Sequence, residues 1–502
     1  MQRYGILCCF CTLGKFYQIS ESWAADLKVT KVFKVFKVLK VRRPGLAQHR
    51  TSPQKTNMLI CSLFLYFCKS FHFSMTKQEK DQIIALIQQE VVPATGCTEP
   101  VAVALAVAKA KETLGAVPKQ IQLFLSANIL KNAMGVGIPG TGMFGLPIAI
   151  ALGALIGKSE YELNVLKDTN PEAVEQAKQY IKEQRIQIEQ KKDTEEKLYI
   201  EVRVHNGDDN AKVIIAHEHN HFAWISKNGE VLLDQQAKTN TEKKDNQVKL
   251  TLRKVYDFAT TTPVLELAFI LKAVELNSKA AEVGLKKNSG HSLGNTILHQ
   301  PRKKFFGKHS LYAKILSATS AACDARMAGE MIPVMSNSGS GNQGIAATMP
   351  VLIYAKERRK TKEELVRALI LSHLTVIYIK QSFGRLSPLC GCVVAATGSA
   401  CGLTYLMDGT YEQIAYAVKN MIANITGMIC DGAKPSCSLK VATGASTAIL
   451  SSMLAIENKT VSAVEGIITD DVDQCILNMN AIGTKGMSRT DELVLDMMTH
   501  KN

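Results

Sequence analysis

Cys390-Gly-Cys-Val-Val-Ala-Ala-Thr-Gly-Ser-Ala-Cys-Gly-Leu-Thr-Tyr405 is built almost wholly from small and β-branched residues, and Val441-Ala-Thr-Gly-Ala-Ser-Thr-Ala-Ile-Leu-Ser-Ser452 repeats the habit. Side chains this small let helices approach closely, so the two stretches predict helices packed around a buried centre. The surrounding pattern agrees from Thr261 onward, where Thr361-Lys-Glu-Glu364 has capping-box spacing ahead of an apolar segment reaching about Ile379.

Upstream, Thr76-Lys-Gln-Glu79 is a second capping box, and Ile83, Ile84, Ile87 and Val91 share the face of the helix it starts. Pro93 to Glu99 breaks that helix. Pro100 suits a first helical residue, so a second helix to Leu114 leaves Cys97 in the turn between them. Ile121, Leu123 and Leu125 alternate as a strand does, and Gly135 to Gly145 forms a loop. Leu146 to Ile156 is apolar but too short to span a membrane, which predicts a buried helix. Alternating runs at Leu198–Val204, Val213–Ala216 and Phe222–Ile225, with an Asn228-Gly229 turn, predict a small antiparallel sheet module near 195–256. The expected class is α+β and mostly helical. The expected divisions are an extension at 1–74, a helical part at 75–194, the sheet module at 195–260 and a second helical part at 261–502.

The chain has 502 residues, 46% hydrophobic and 21% charged, the balance of a folded globular protein. Its net charge of +15 is concentrated: residues 1–74, with the Lys-rich repeat Val29 to Arg43, supply +10. The rest is only mildly basic, which argues against nucleic-acid binding. The apolar run Met58 to Cys68 is too short for a membrane anchor. Thirteen cysteines, an odd number in a long chain without a secretory cleavage signal, fit reduced thiols and a cytoplasmic location.

Two stretches carry chemistry. Leu386-Ser-Pro-Leu-Cys390-Gly-Cys392 and Gly427-Met-Ile-Cys430-Asp-Gly-Ala-Lys-Pro-Ser-Cys437 offer thiols on turn-forming backbone, the soft ligands that iron–sulfur clusters use. The spacing is that of neither a ferredoxin nor a zinc site, and alone it leaves a cluster and plain burial both open. Ser336-Asn-Ser-Gly-Ser-Gly-Asn-Gln-Gly344 collects hydroxyls, carboxamides and unobstructed amides that suit an anion, or else it is a flexible linker. It is neither a Walker loop nor a dinucleotide fingerprint. His373, in an apolar helix, reads as a core histidine, and Asp324-Ala-Arg326 as an ion pair either at the pocket or away from it.

Pro93-Ala-Thr-Gly-Cys97-Thr-Glu-Pro100, Pro139-Gly-Thr-Gly-Met143, the Ser336–Gly344 loop and Met428-Ile-Cys430-Asp-Gly-Ala433 resemble, in consistent order, the L-cysteine desulfidase family. That family is related to the alpha part of bacterial iron–sulfur L-serine dehydratases. The likeness runs from about Met75 to the C-terminus. It implies a 4Fe–4S cluster on Cys390, Cys430 and Cys437 with one open iron, no pyridoxal phosphate, and Cys97 as the base for the substrate α-proton. Cys392 and Cys401 are then bystanders. Ser336, Asn337, Ser338, Gly339, Ser340 and Asn342 are implied to bind the carboxylate, with Asn128, Lys131 and Asn132 as further pocket candidates. A thiol base has to reach its thiolate, for which the helix start near Pro100 provides a favourable dipole. The implied reaction is α,β-elimination of hydrosulfide from L-cysteine, leaving pyruvate and ammonia. L-serine dehydratase and a non-catalytic iron–sulfur or thiol sensor are the rival readings. The expected partner is a small amino acid, with no nucleic acid and no membrane; a homo-oligomer is compatible with the sequence.

Overall fold

The computed structural model describes residues 75–194, 196–236, 248–299, 307, 310–383 and 388–500. The extension at 1–74, with its Lys-rich repeat and the Met58–Cys68 run, lies outside the described residues.

Met75–Asn502 forms one compact unit. In chain order it runs α1 (Lys77–Glu90), β1 (Pro93–Thr95), α2 (Thr98–Leu114), β2 (Gln120–Leu125), α3 (Ala127–Ala133), α4 (Leu146–Leu155), α5 (Pro171–Lys182) and β3 (Ile186–Gln190). Four strands follow: β4 (Tyr199–Asn206), β5 (Asp209–Ala216), β6 (Phe222–Lys227) and β7 (Glu230–Asp234). Then come α6 (Leu252–Thr261), α7 (Val264–Leu267), α8 (Leu271–Lys287), α9 (Leu293–His299), α10 (Leu311–Met327), β8 (Pro333–Met335) and α11 (Gly341–Glu357). The chain continues through α12 (Lys362–Phe383), α13 (Gly391–Leu406), α14 (Tyr411–Ile425), α15 (Cys437–Ile456), α16 (Val472–Ala481) and α17 (Ser488–Thr499). The mostly helical α+β class holds.

Both capping boxes form. Thr76 caps α1 reciprocally with Glu79, and Thr361 exchanges hydrogen bonds with Glu364 ahead of α12. The second helix starts two residues before the expected Pro100: Thr98 is its first residue and Cys97 its N-cap. The sheet also differs from an inserted module. Its six strands run β3-β2-β4-β5-β6-β7, antiparallel except for the parallel β2/β3 pair. Two of its strands, β2 read from the Ile121/Leu123/Leu125 alternation and β3 not foreseen, come from the part named helical, and the pairing crosses the 194/195 division. The reason is that β2 has backbone groups to pair on both edges: β4 takes one, and β3 takes the other after a crossover through α3, α4 and α5. At the far edge Asn228 and Gly229 both have positive φ, the turn an Asn-Gly hairpin takes.

Small residues do set the helix spacing. A Cβ on Gly398 of α13 would stand 2.4 Å from the Ser372 carbonyl of α12, and one on Gly444 of α15 would stand 3.0 Å from the Ala396 Cβ. Among the described residues one helix, α15, is long and apolar enough to cross a membrane, and half of it is buried inside the protein.

Candidate active site

A two-stranded ribbon gathers the site. β1 pairs antiparallel with β8, Pro93 opposite Met335 and Thr95 opposite Pro333. This places the Cys97 turn beside the Ser336–Gly344 loop, and the Thr98 hydroxyl donates to the Gly339 carbonyl at 3.3 Å.

Cys97 is buried, and its thiol donates to Oε2 of Glu99 at 3.1 Å. Glu99 is itself buried and also accepts from the Thr98 hydroxyl and, at 3.2 Å, from Nδ2 of Asn132. Burial and the Glu99 charge push the Cys97 thiol well up, while the Arg326 guanidinium opposes them. The helix start was expected to lower it; desolvation and the neighbouring carboxylate outweigh that dipole. Arg326 reaches from α10 to the Gly96 carbonyl and to Oδ1 of Asn342, both at 3.0 Å. Both acceptors are neutral, and Nε has no hydrogen-bond partner, although the side chain is buried. A buried cation so placed favours an anion nearby. Arg326 and Asp324 do not pair: Asp324 accepts from the Gly294 amide instead.

The loop is a built turn. Asn337 and Ser340 exchange backbone hydrogen bonds at 3.1 Å around Ser338 (φ 48°) and Gly339 (φ 81°), a two-residue reversal of the I′ kind. The Ser336 hydroxyl donates to the Val92 carbonyl, and the Ser338 hydroxyl to Oδ1 of Asn337. Asn337 donates through Nδ2 to Nδ1 of His373, so the His373 proton sits on Nε2 and points to Thr348 Oγ1 at 3.0 Å. These side chains hold the loop. Ser340 is the N-cap of α11 without a side-chain cap bond, which leaves the first-turn amides of that buried helix open to an anion. Burial presses His373 down to about 3 and keeps it neutral, as a core histidine.

Two of the three cysteines, Cys390 and Cys430, sit where two loops cross. The Cys390 amide donates to the Met428 carbonyl and the Cys430 amide to the Pro388 carbonyl, with Leu389 and Ile429 bridged. Cys437 is the first residue of α15, and Cys390 is the N-cap of α13. Burial raises the Cys437 thiol to about 11, and the charges of Cys390 and Cys430 add to it, which puts the three within electrostatic reach. A hydrogen bond from Cys392 holds Cys390 below the usual thiol range, whereas burial and the Cys390 charge raise the Cys430 thiol against the opposing pull of Lys131 and Lys440. Cys401 lies deeper in α13, pushed up to about 12 by burial. Among the described residues no three or more His, Cys, Asp or Glu side chains could hold a metal ion. A cubane sets a different requirement, because each ligand sulfur takes its own iron and the sulfurs stand apart. Soft donors, adjoining cations and two uncapped helix starts fit such a group. Gln343 adds a buried Oε1 without a partner, its side chain packed on Gly391.

Two chains of contacts lead from the Cys97 turn toward the cysteine loops. One runs from Arg326 to Asn342, whose Oδ1 also accepts from Cys323 at 3.5 Å; Cys323 in turn feels the charges of Cys437 and Cys390. The other runs from Glu99 to Asn132, next to Lys131, whose carbonyl would lie 2.3 Å from a Cβ on Gly432. Lys131 is buried in an ion pair with Asp491 of α17, and Asn128 Oδ1 is buried without a partner.

Residues 160–496 match the serine dehydratase alpha chain family. This chain belongs to that family. A UPF0597 protein of Bacteroides fragilis is 64% identical over 427 residues, 85% of this chain and 100% of the relative. UPF0597 proteins of Porphyromonas gingivalis and Oleidesulfovibrio alaskensis are 52% and 44% identical, each over 85% of this chain and 100% of the relative. For this serine dehydratase alpha chain relative, the structure brings together Cys97, the Ser336–Gly344 loop, Asn132 and the three cysteines. It adds Glu99 and Cys323, which sequence reasoning left unassigned, and gives a place to Arg326 and Gln343, which it had named without a role at the site. Glu99 had a signal in its position two residues after Cys97, whereas Cys323 had none.

Proposed function

We propose that this protein is an L-cysteine desulfidase, a carbon–sulfur lyase releasing hydrogen sulfide, ammonia and pyruvate by α,β-elimination with a 4Fe–4S cluster and without pyridoxal phosphate. One observation carries the reading: Arg326, Asn342, Glu99 and Asn132 tie the Cys97 turn to the start of α11 and to α3, whose Lys131 lies against Gly432 in the loop between Cys430 and Cys437. Cys390, Cys430 and Cys437 would hold the cluster, leaving one iron without a protein ligand. When bound, that group supplies a Lewis acid for the substrate carboxylate and the leaving group. The chain supplies the remainder. The α11 amides and Arg326 draw the carboxylate, burial excludes water, and Cys97 takes the α-proton. Aminoacrylate then tautomerises and hydrolyses without further help. A cytoplasmic setting, where thiols stay reduced, suits the proposal.

The family match favours a second reading, L-serine ammonia-lyase, which differs only in the leaving group. The test is anaerobic purification with iron and sulfide assay, followed by pyruvate release from L-cysteine and L-serine side by side. A higher kcat/KM on L-cysteine supports the desulfidase, and a higher one on L-serine supports the lyase. A cluster with turnover of neither sinks both and leaves a sensor.

A further inference from the structure

Cys97 carries a contradiction that the elimination reading does not resolve by itself. A base must begin as thiolate, yet this thiol is buried, donates its proton to a buried carboxylate, and is held protonated by that neighbour. The carboxylate is itself constrained. Oε2 faces the Cys97 and Thr98 donors while Oε1 is held by Asn132, so the oxygen nearest the sulfur is fixed at hydrogen-bond distance. A cation, Arg326, stands beside the same turn, donating to the Gly96 carbonyl and to Asn342 Oδ1, and its charge favours a Cys97 thiolate.

We infer that the base is a Cys97–Glu99 dyad in which Glu99 Oε2 takes the Cys97 proton and the Arg326 guanidinium steadies the thiolate left behind. The inference rests on the elimination reading and deepens it. The proton count closes over one turnover. The thiol S–H bond breaks and a carboxylic O–H forms; the thiolate then takes the substrate α-proton, so the S–H bond is restored. Glu99 gives its proton to the departing hydrosulfide or hydroxide and returns to carboxylate. No oxidant or further reactant is needed, and each cycle starts from the observed pair. Transfer from sulfur to oxygen is uphill in the resting site. A bound substrate favours it by closing the site from water and presenting the acidic α-carbon to the sulfur.

The Glu99→Gln variant separates this role from simple charge. Its carboxamide keeps the shape and can still accept from Cys97 but cannot take a proton. Removing the negative charge eases thiolate formation, so at pH 9 iodoacetamide should label the Cys97 peptide at least several-fold faster than in the parent, read by mass spectrometry on the cluster-loaded protein. Turnover should nonetheless fall about 100-fold or more in kcat with little change in KM. A residue that merely raised the thiol pKa would give faster labelling together with faster turnover, and that result overturns the dyad. So does unchanged labelling, which would mean that Glu99 does not govern the thiol. Melting of the variant at the parent temperature excludes misfolding as the cause. If the parent turns over neither L-cysteine nor L-serine, the elimination reading fails, whereas the labelling comparison still decides whether Glu99 controls Cys97.

Discussion

Replacing Cys390, Cys430 or Cys437 by Ser should remove the brown chromophore and most of the iron, because each of these thiols is presented at a loop or helix start where the others lie in electrostatic reach. Cys401→Ser should keep the iron, its sulfur being enclosed within α13. Full iron in any of the first three sinks the ligand set. Cys97→Ala should retain the cluster and lose about two to four orders of magnitude in turnover, the usual cost of removing a general base. An active Cys97→Ala enzyme would move the role elsewhere. His373 does not inherit it, since both ring nitrogens are engaged. His373 instead predicts a pH dependence of stability. Its folded pKa is lowered to about 3 from an ordinary value near 6.5, so between those values the unfolded chain binds the extra proton. Stability should therefore fall as pH drops below about 6.5, by about 1.4 kcal/mol per unit from this residue alone. His373→Gln should flatten the decline of the urea midpoint between pH 6.5 and 5. An unchanged slope would show that the residue does not titrate across unfolding.

The first turn of α11 lies hard against β8, and Gly344 makes that possible: a Cβ there would fall 1.9 Å from the Met335 carbonyl. Asn277 of α8 locks the same junction, donating to the Gly344 carbonyl and accepting from the Met335 amide. Gly344→Ala should cost about 3 kcal/mol through overpacking and displace the loop, lowering melting temperature and activity together. Parent-like melting would contradict the packing. Elements of this sort were unevenly legible in the sequence. The capping boxes and the Asn228-Gly229 turn are local signals, and they formed as read. β1 and β8 left no signal, being three residues each with no alternation to read. The β2/β3 pairing was hidden as well, since parallel partners are joined by a crossover rather than a tight turn. At the site, composition marked the Ser336–Gly344 loop but not the direction of its side chains. Ser336, Asn337 and Ser338 turn inward to hold the turn. Arg326 could not be placed because one of its partners is 230 residues away in sequence.

At the scale of the whole chain, Met75–Asn502 is the compact unit. A chain starting at Met75 should match the full-length protein in melting temperature and in pyruvate release. A large loss of either would give residues 1–74 a part in the fold or the chemistry. The β1/β8 ribbon has a consequence for how the protein is made. Thr98 meets Gly339 across a sequence separation of 241 residues, and Ser336 meets Val92 across 244. At about 5–20 residues per second of synthesis, the Cys97 half leaves the ribosome roughly 10–50 s before its partner loop exists. Through that interval the Ala/Val-rich α2 helix has no β8 or α11 beside its start, and Cys97 is an open thiol. Nascent chains stalled before residue 340 should therefore expose Cys97 to alkylation and bind chaperones, and the proposed cluster could assemble only after Cys437 has emerged, when synthesis is nearly complete.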